Sequence, residues 1–361
     1  MTNRYSLDVS WDLYHPFPLA ICRPAYRGYL GEGKELAWVT VEWKAAWPAK
    51  EAFAPELPQG MDGPALLVPS PQPPAWAQRE DYPAFLRLLG ARTHGGAAFA
   101  GVLLERGDRE GDELGNVLRA CREGFDRAPL IARAADAPLI HRLRAEGMPF
   151  GLLLEAAEGV MTIRERLADL GLQRVWEQAP VFLDARGARE APEELLRRAA
   201  AWHALASDLP GLKPGKAALR RLTYPQAVTS GGALPLRFWW QVVGDCPLYA
   251  RSKVRLLLKN REAQGEVPLG DERLLRPLGD HTHNEIAPLP PLPAGEYGVW
   301  CGLFEENGLP LPLAMEEPME QGFFKAGEIT LDNEPRPEML RAWESYEPEG
   351  YYPLEDPKLP Y

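Results

Sequence analysis

The sequence predicts an α/β protein, a compact (β/α)8 TIM-type barrel followed by a C-terminal antiparallel β-sandwich. Three observations predict it. Short apolar runs alternate with helix-length stretches from about residue 36 to about residue 210. After about Leu222 the helical spacers vanish and Pro/Gly turns separate the apolar runs. The 361 residues are 45% hydrophobic and 25% charged, enough apolar surface for more than one core. The expected boundaries are 1–222 for the barrel, 223–331 for the sandwich and 332–361 for an acidic tail docked on the body.

In the barrel region the apolar runs are Leu36–Trp43, Ala65–Pro69, Phe99–Glu105, Leu130–Ala134, Phe150–Glu155 and Pro180–Asp184. Their near-continuous hydrophobicity suits strands buried on both faces. Between them Tyr82–Arg92, Leu114–Phe125, Pro138–Gly147, Thr162–Gln178 and Pro192–Leu205 have the length and three-to-four spacing of crossover helices. Gly147 reads as a helix stop and Pro192 as a helix start. Strand–helix alternation repeated this often implies a parallel sheet, open or closed.

The second region reads as strands at Leu234–Val243, Lys253–Leu258, Gly298–Phe304 and Glu328–Leu331, with Thr229–Gly232 helping to mark the change. The last stretch, 332–361, holds eight acids against three bases and six prolines. Such composition is usually solvated, but Trp343, Tyr346, Tyr351, Tyr352 and Tyr361 supply apolar surface for docking. A tail lying over the barrel mouth would regulate access to it.

Charge narrows the function. Forty basic and 51 acidic residues give a net charge of −11, which disfavours nucleic acid and anionic membrane surfaces as partners. A neutral, hydroxyl-rich small molecule such as a carbohydrate fits this balance. No apolar run reaches the ~20 residues of a membrane span, and Met1–Asp12 lacks the pattern of a secretory leader. The four cysteines have no paired spacing. They read as reduced thiols of a cytoplasmic protein rather than as a zinc site or disulfide framework.

In a parallel barrel, side chains at the C-terminal strand ends meet around one pocket. Three acids stand at such ends: Glu105, Glu155 and Asp184. Burying an unpaired carboxylate is costly, so any one of them serves as readily as a loop cap or an ion-pair partner. Three at equivalent positions point into one cavity, and facing carboxylates are what glycoside hydrolysis needs. One donates a proton to the leaving oxygen, and the other attacks or stabilises the oxocarbenium-like centre. Arg133 ends the fifth expected strand, where it pairs with Glu105 or grips a substrate. Trp43, Trp47 and Trp76 sit at or beyond strand ends, where an indole face stacks on a sugar or packs in the core. His281 and His283, two apart in Asp280–Glu285, point to one face if they lie on a strand and would then suit a metal; a polar loop is the plainer reading. His203 either lines the pocket or packs on a helix. No phosphate loop, GxSxG elbow or Cys/His pair is present in the sequence.

Several of these stretches resemble known proteins. Leu66–Ala77 (LLVPSPQPPAWA) resembles the third-strand motif of family-42 beta-galactosidases, in which Pro-Pro-x-Trp follows the strand, and Val39–Pro48 is similar to their Trp-rich second-strand segment. If Pro18–Leu30 supplies the first strand, Gly101–Glu105 and Pro180–Asp184 fall at the fourth and seventh strands, where clan A glycoside hydrolases carry acid/base and nucleophile. A closer resemblance is to the bacterial family called domain of unknown function 4832. It is carried by Arg23–Gly28, Leu89–Arg92, Leu236–Tyr249, Gly295–Leu303, Leu311–Met315 and Gly327–Leu331, spanning most of residues 20–331. The chain departs from the clan A pattern in two places. Leu104 stands where Asn usually precedes the acid/base Glu, and Asp184 stands where the nucleophile is Glu. Leu104–Asp108 (LERGD) makes Asp108 a second acid candidate.

The resemblance implies a glycoside hydrolase-like protein acting on a small glycoside without a cofactor or metal. Glu105 would be the proton donor and Asp184 the nucleophile or base, with Glu155, Trp76, Trp43, Arg133 and Asp108 binding substrate. The alternative is a non-catalytic carbohydrate-binding or interaction protein on a degenerate glycosidase barrel.

Overall fold

The computed structural model describes residues 19–24, 33–58, 63–96, 98–249, 252–270, 278–305, 308–316 and 318–336. The chain divides into two compact units, one of residues 31–214 and one combining 1–30 with 215–361. The division falls at 214/215, and Leu19–Cys22 groups with the C-terminal unit, whereas the sequence reading set the boundary at 222/223 and counted that segment in the barrel domain.

The 31–214 unit is built on seven strands: β2 (Ala37–Glu42), β3 (Ala65–Ser70), β4 (Gly101–Leu103), β5 (Leu130–Arg133), β6 (Phe150–Glu155), β7 (Val181–Asp184) and β8 (Ala204–Ser207). They form one sheet in sequence order and every pairing is parallel. The connecting helices are α1 (Trp43–Ala46, one turn), α2 (Tyr82–Arg92), α3 (Gly111–Gly124), α4 (Ala137–Ala145), α5 (Val160–Asp169) and α6 (Pro192–Ala201). Local chemistry sets their limits. Pro138 lies in the first turn of α4, where Asp136 accepts the Leu139 amide at 3.2 Å, and α6 opens on Pro192.

Because crossovers between sequential parallel strands share one hand, the helices collect on one face. There Leu67, Val102, Ala132, Leu152, Leu154 and Leu183 pack with helix residues such as Phe85, Leu118, Ile140 and Ile163. The alternate strand residues turn to the other face and form a separate small core of Leu36, Leu66, Val68, Leu103, Ile131, Leu153, Phe182 and Ala206. That core includes residues from both ends of the sheet, and the Leu36 amide beside β2 donates to Ser207 O of β8 at 2.7 Å. The sheet is thus curled, with this face concave.

Two elements differ from expectation. β1 (Leu19–Cys22), taken as the first barrel strand, pairs antiparallel with β9 (Lys216–Pro225) of the other unit. Four residues cannot satisfy both sheets, and register with β9 (Cys22 opposite Leu222) takes them. The stretch expected to be helical to Leu205 ends at Ala201. His203, at φ +54°, turns the chain into β8 with its ring 3.8 Å from that of Trp176.

The second unit contains two sheets. One has the order β1-β9-β11-β14, with β11 at Ala233–Val243 and β14 at Gly279–Pro288. The other has the order β10-β16-β15-β12-β13, with β10 at Ala227–Thr229, β12 at Ser252–Lys259, β13 at Gln264–Val267, β15 at Gly295–Glu305 and β16 at Phe324–Asp332. All these pairings are antiparallel except β10 with β16. Both sheets contribute to one core, for example Leu222, Leu236 and Phe238 from the first and Leu256, Val299 and Ile329 from the second. Asp280–Glu285 lies on the edge strand β14, not in a loop, and His283 Nε2 meets Glu285 Oε2 at 3.0 Å. Among the described residues no group of three or more His, Cys, Asp or Glu is arranged to hold a metal ion.

No disulfide joins the four cysteines. Burial raises the Cys121 and Cys301 thiols above their ordinary range and pushes Cys246 up to about 12. No described helix is long and apolar enough to cross a membrane.

Of the acidic tail, 337–361 lies outside the described residues. Its first residues are strapped down: Ser230 N donates to Asp332 O at 2.6 Å, and Arg336 bonds both carboxylate oxygens of Asp332 at 2.6 Å. That guanidinium lowers the Asp332 carboxyl to about 2. A depressed carboxyl contributes stability above its ordinary value and loses it as pH falls through the folded value, so the Asp332–Arg336 bridge holds at pH 4 and is lost near pH 2, while the Ser230 bond to the Asp332 carbonyl does not titrate. The expected result is a carboxyl carbon resonance of Asp332 with a midpoint near about 2, moving up in Arg336→Gln. A wild-type midpoint in the ordinary carboxylate range would contradict the bridge.

Candidate functional site

The rim of the 31–214 unit is set by strand parity. Side chains alternate between faces with period two. Two residues beyond the concave-facing Leu103, Ile131, Leu153 and Phe182 stand Glu105, Arg133, Glu155 and Asp184. These four charged groups therefore sit at the C-terminal ends of β4, β5, β6 and β7 on the concave side. Glu155 and Asp184 are register partners on neighbouring strands, which lie ~4.8 Å apart.

Each carboxylate in the rim has a guanidinium partner. Arg133 Nη2 donates to Glu105 Oε1 at 3.1 Å and Arg133 Nη1 to Glu155 Oε1 at 2.5 Å, so one arginine stands between two acids. Their side chains are about one-third exposed (33%, 32% and 26% for Glu105, Arg133 and Glu155). Asp184 is buried and held by Arg186 through Nε to Oδ1 at 2.8 Å and Nη2 to Oδ2 at 2.7 Å. These hydrogen bonds raise the Arg186 guanidinium above its ordinary value. The same guanidinium covers the Trp38 indole, 4.4 Å from the ring centroid. Behind it, Asp208 Oδ1 accepts the Ala185 amide at 2.6 Å and fixes the turn that carries Arg186.

The other expected site residues lie elsewhere. Trp43 is fully buried against Tyr82 and Phe85, with ring centroids at 5.3 and 5.8 Å, so it belongs to the core and not to the rim. It opens α1 directly after β2, and the α2 aromatics cover it. Trp76 packs edge-on to Trp47 at 4.8 Å and donates its indole N–H to Trp47 O at 2.9 Å. Asp108, on the loop after β4, is exposed and accepts from Arg79 at 2.9 Å. Arg79 also pairs with Glu113. Within the same loop region Arg109 lies buried over the Tyr82 ring at 4.5 Å. Arg106 bonds Asp136 at 3.0 Å. This lattice of ion pairs braces the segment that follows Glu105.

The sequence reading missed Trp38 and Arg186. Parity finds Trp38, two residues after the concave-facing Leu36; Arg186 follows the end of β7, where strand parity gives no signal. Chemically the rim combines carboxylate acceptors, guanidinium donors and one indole face, the groups that bind vicinal hydroxyls.

The fold and rim define a mixed α/β chain with charged strand ends on the concave side of a parallel sheet. No protein-family model matches the chain, and neither does any curated protein. Among solved structures it is similar to beta-glucosidase from Listeria innocua in complex with glucose (12% identity, TM-score 0.22). It is also similar to a mutant of that enzyme in complex with laminaribiose (11% identity, TM-score 0.23). Each match covers 87% of this chain and 48% of the other, so the chain spans about half the length of these structures.

Proposed function

We propose that this is a glycoside hydrolase-like protein whose concave rim takes up a small neutral glycoside. The observation that carries the reading is the convergence of Glu105, Arg133, Glu155 and Asp184 from four adjacent strands onto one face. With Glu105, Glu155 and Asp184 against Arg133 and Arg186, the rim has more acid than base, which favours neutral polyols over anionic sugars. In this reading the curled sheet is a compact barrel of the (β/α)8 type reduced to seven strands, its two ends meeting at the Leu36–Ser207 hydrogen bond, and the second unit is a β-sandwich, supported by its shared core.

Hydrolysis by Glu105 as proton donor and Asp184 as nucleophile or base is the catalytic form of the proposal. It requires Arg133 and Arg186 to release both carboxylates, because each now accepts from a guanidinium. Those pairings favour the binding form, a carbohydrate-binding protein on a glycosidase scaffold. Titration of the 15N-labelled chain with a panel of methyl and aryl glycosides tests both. The expected result is resonance shifts at Glu105, Glu155 and Arg186 with at least one glycoside, weakened about tenfold or more in Glu105→Gln. Turnover reduced by ~10²–10⁴ in the same variant would add catalysis. Shifts confined to residues away from the rim, or no shift with any glycoside, would end the reading.

A further inference from the structure

A groove of about 840 Å³ lies along β2, the end strand of its sheet; Ala37, Trp38, Val39 and Thr40 line it in succession, together with Glu56, Pro58 and Gly63 from the segment before β3. The Ala37 amide donates to Pro64 O beside β3, so the N–H and C=O groups of Trp38 and Thr40 face the other way, toward the groove. The preceding edge amide, Leu36, is taken by Ser207 O at the end of β8. Beyond it the Trp38 and Thr40 amides have no hydrogen-bond partner among the described residues. The Trp38 indole N–H is enclosed and likewise unpartnered. The enclosed indole donor costs free energy until something accepts from it, whereas the two edge amides, on the half-buried Trp38 and the exposed Thr40, are open to water and to an incoming acceptor. Three charged residues line the groove, Lys34, Glu35 and Glu56, so acid exceeds base there by one; the two carboxylates are exposed and form no ion pair among the described residues.

We propose that this groove binds an extended peptide segment carrying a basic side chain, added to β2 as a further strand. A row of N–H and C=O groups repeating every two residues, ~6.6–6.8 Å, is the complement of another extended backbone. A polyol offers no such repeat. Glu35 and Glu56 supply the charge that a lysine or arginine on the incoming strand would meet. The site shares Trp38 with the rim but uses the backbone edge of β2 rather than the Glu105, Arg133, Glu155 and Asp184 side chains, so a peptide can bind it without any sugar.

The test uses the full chain labelled with 15N and the probe acetyl-Thr-Val-Lys-Val-Thr-amide, with the same peptide N-methylated on alternate residues as control. The expected result is rapid solvent exchange at the Trp38 and Thr40 amides of the free protein, slowed tenfold or more by the probe. The Trp38 indole resonance should shift with it, and the methylated control should have no effect. Thr40→Pro removes an edge amide that the β3 ladder does not use, a position where proline is tolerated, and should weaken the probe tenfold or more. Trp38→Phe, which deletes the indole donor, should weaken it as well and gives the reading if Thr40→Pro does not fold. Protection of both amides in the free protein would mean that the edge is already covered, and would overturn the proposal. So would three resonances unmoved at millimolar probe, equal binding of the methylated peptide, or folded variants that bind like the wild type.

Discussion

Gly90→Ala is expected to destabilise the 31–214 unit by about 3 kcal/mol, at the top of the usual range for overpacking. A methyl on Gly90 in α2 would stand 2.1 Å from Gly124 O, 2.4 Å from its carbonyl carbon and 2.6 Å from its Cα at the end of α3. All three are backbone atoms, so no rotamer change relieves the contact and the helices themselves must part. Gly124 is in the same position from the other side, with a built Cβ 2.9 Å from Leu86 O. The parting would loosen Leu86, Leu89 and Leu118, fully buried residues of the helix-side core. Thermal unfolding followed by circular dichroism should show a fall in Tm of roughly 10 °C for a unit of this size. A change equivalent to less than about 0.5 kcal/mol, the level of a neutral surface substitution, would mean that the two helices do not meet there.

The alternation of apolar runs and helix-length spacers was legible because strands buried on both faces lack polar interruptions. Leu152 and Leu154 face the helices while Leu153 faces the concave core, so all three are apolar and the run stands out. Short or mixed elements were not legible. Leu19–Cys22 is as apolar as a barrel strand, and only its register with β9 assigns it. β14 reads GDHTHNEIAP, without strong alternation, because it is an edge strand with half-buried residues along most of its length. In the rim, Glu105, Glu155 and Asp184 were visible as acids ending apolar runs. Of their arginine partners, Arg133 was visible as the end of an apolar run, and its pairing with Glu105 is the one expected; Arg186 was not, since it comes after the strand has ended. Trp43 and Trp38 are alike in sequence context, five residues apart. One starts a helix and is covered by Tyr82 and Phe85; the other faces the concave side under Arg186.

Phe182→Ala is expected to cost about 3–5 kcal/mol and to disturb the rim as well as the core. Phe182 is fully buried in the concave cluster, where its register partners are Leu153 on β6 and Ala206 on β8. Ala206 is small, so the phenyl ring fills the space between those strands, and on β8 only the partly buried Leu205 adds apolar bulk to the cluster. Two residues further along β7 the backbone presents Asp184, and through it Arg186 over Trp38. A void below should let β7 shift relative to β6 and break the alignment of Asp184 with Glu155. Leu118→Ala, in α3 on the opposite face of the sheet, supplies the comparison at a cost of about 2–5 kcal/mol. Denaturant unfolding gives the two stabilities, and glycoside titration of the molecules that remain folded gives the two affinities. Affinity should fall tenfold or more in Phe182→Ala and change little in Leu118→Ala. Equal losses would mean that the rim depends on stability in general; a selective loss ties it to the small core beneath.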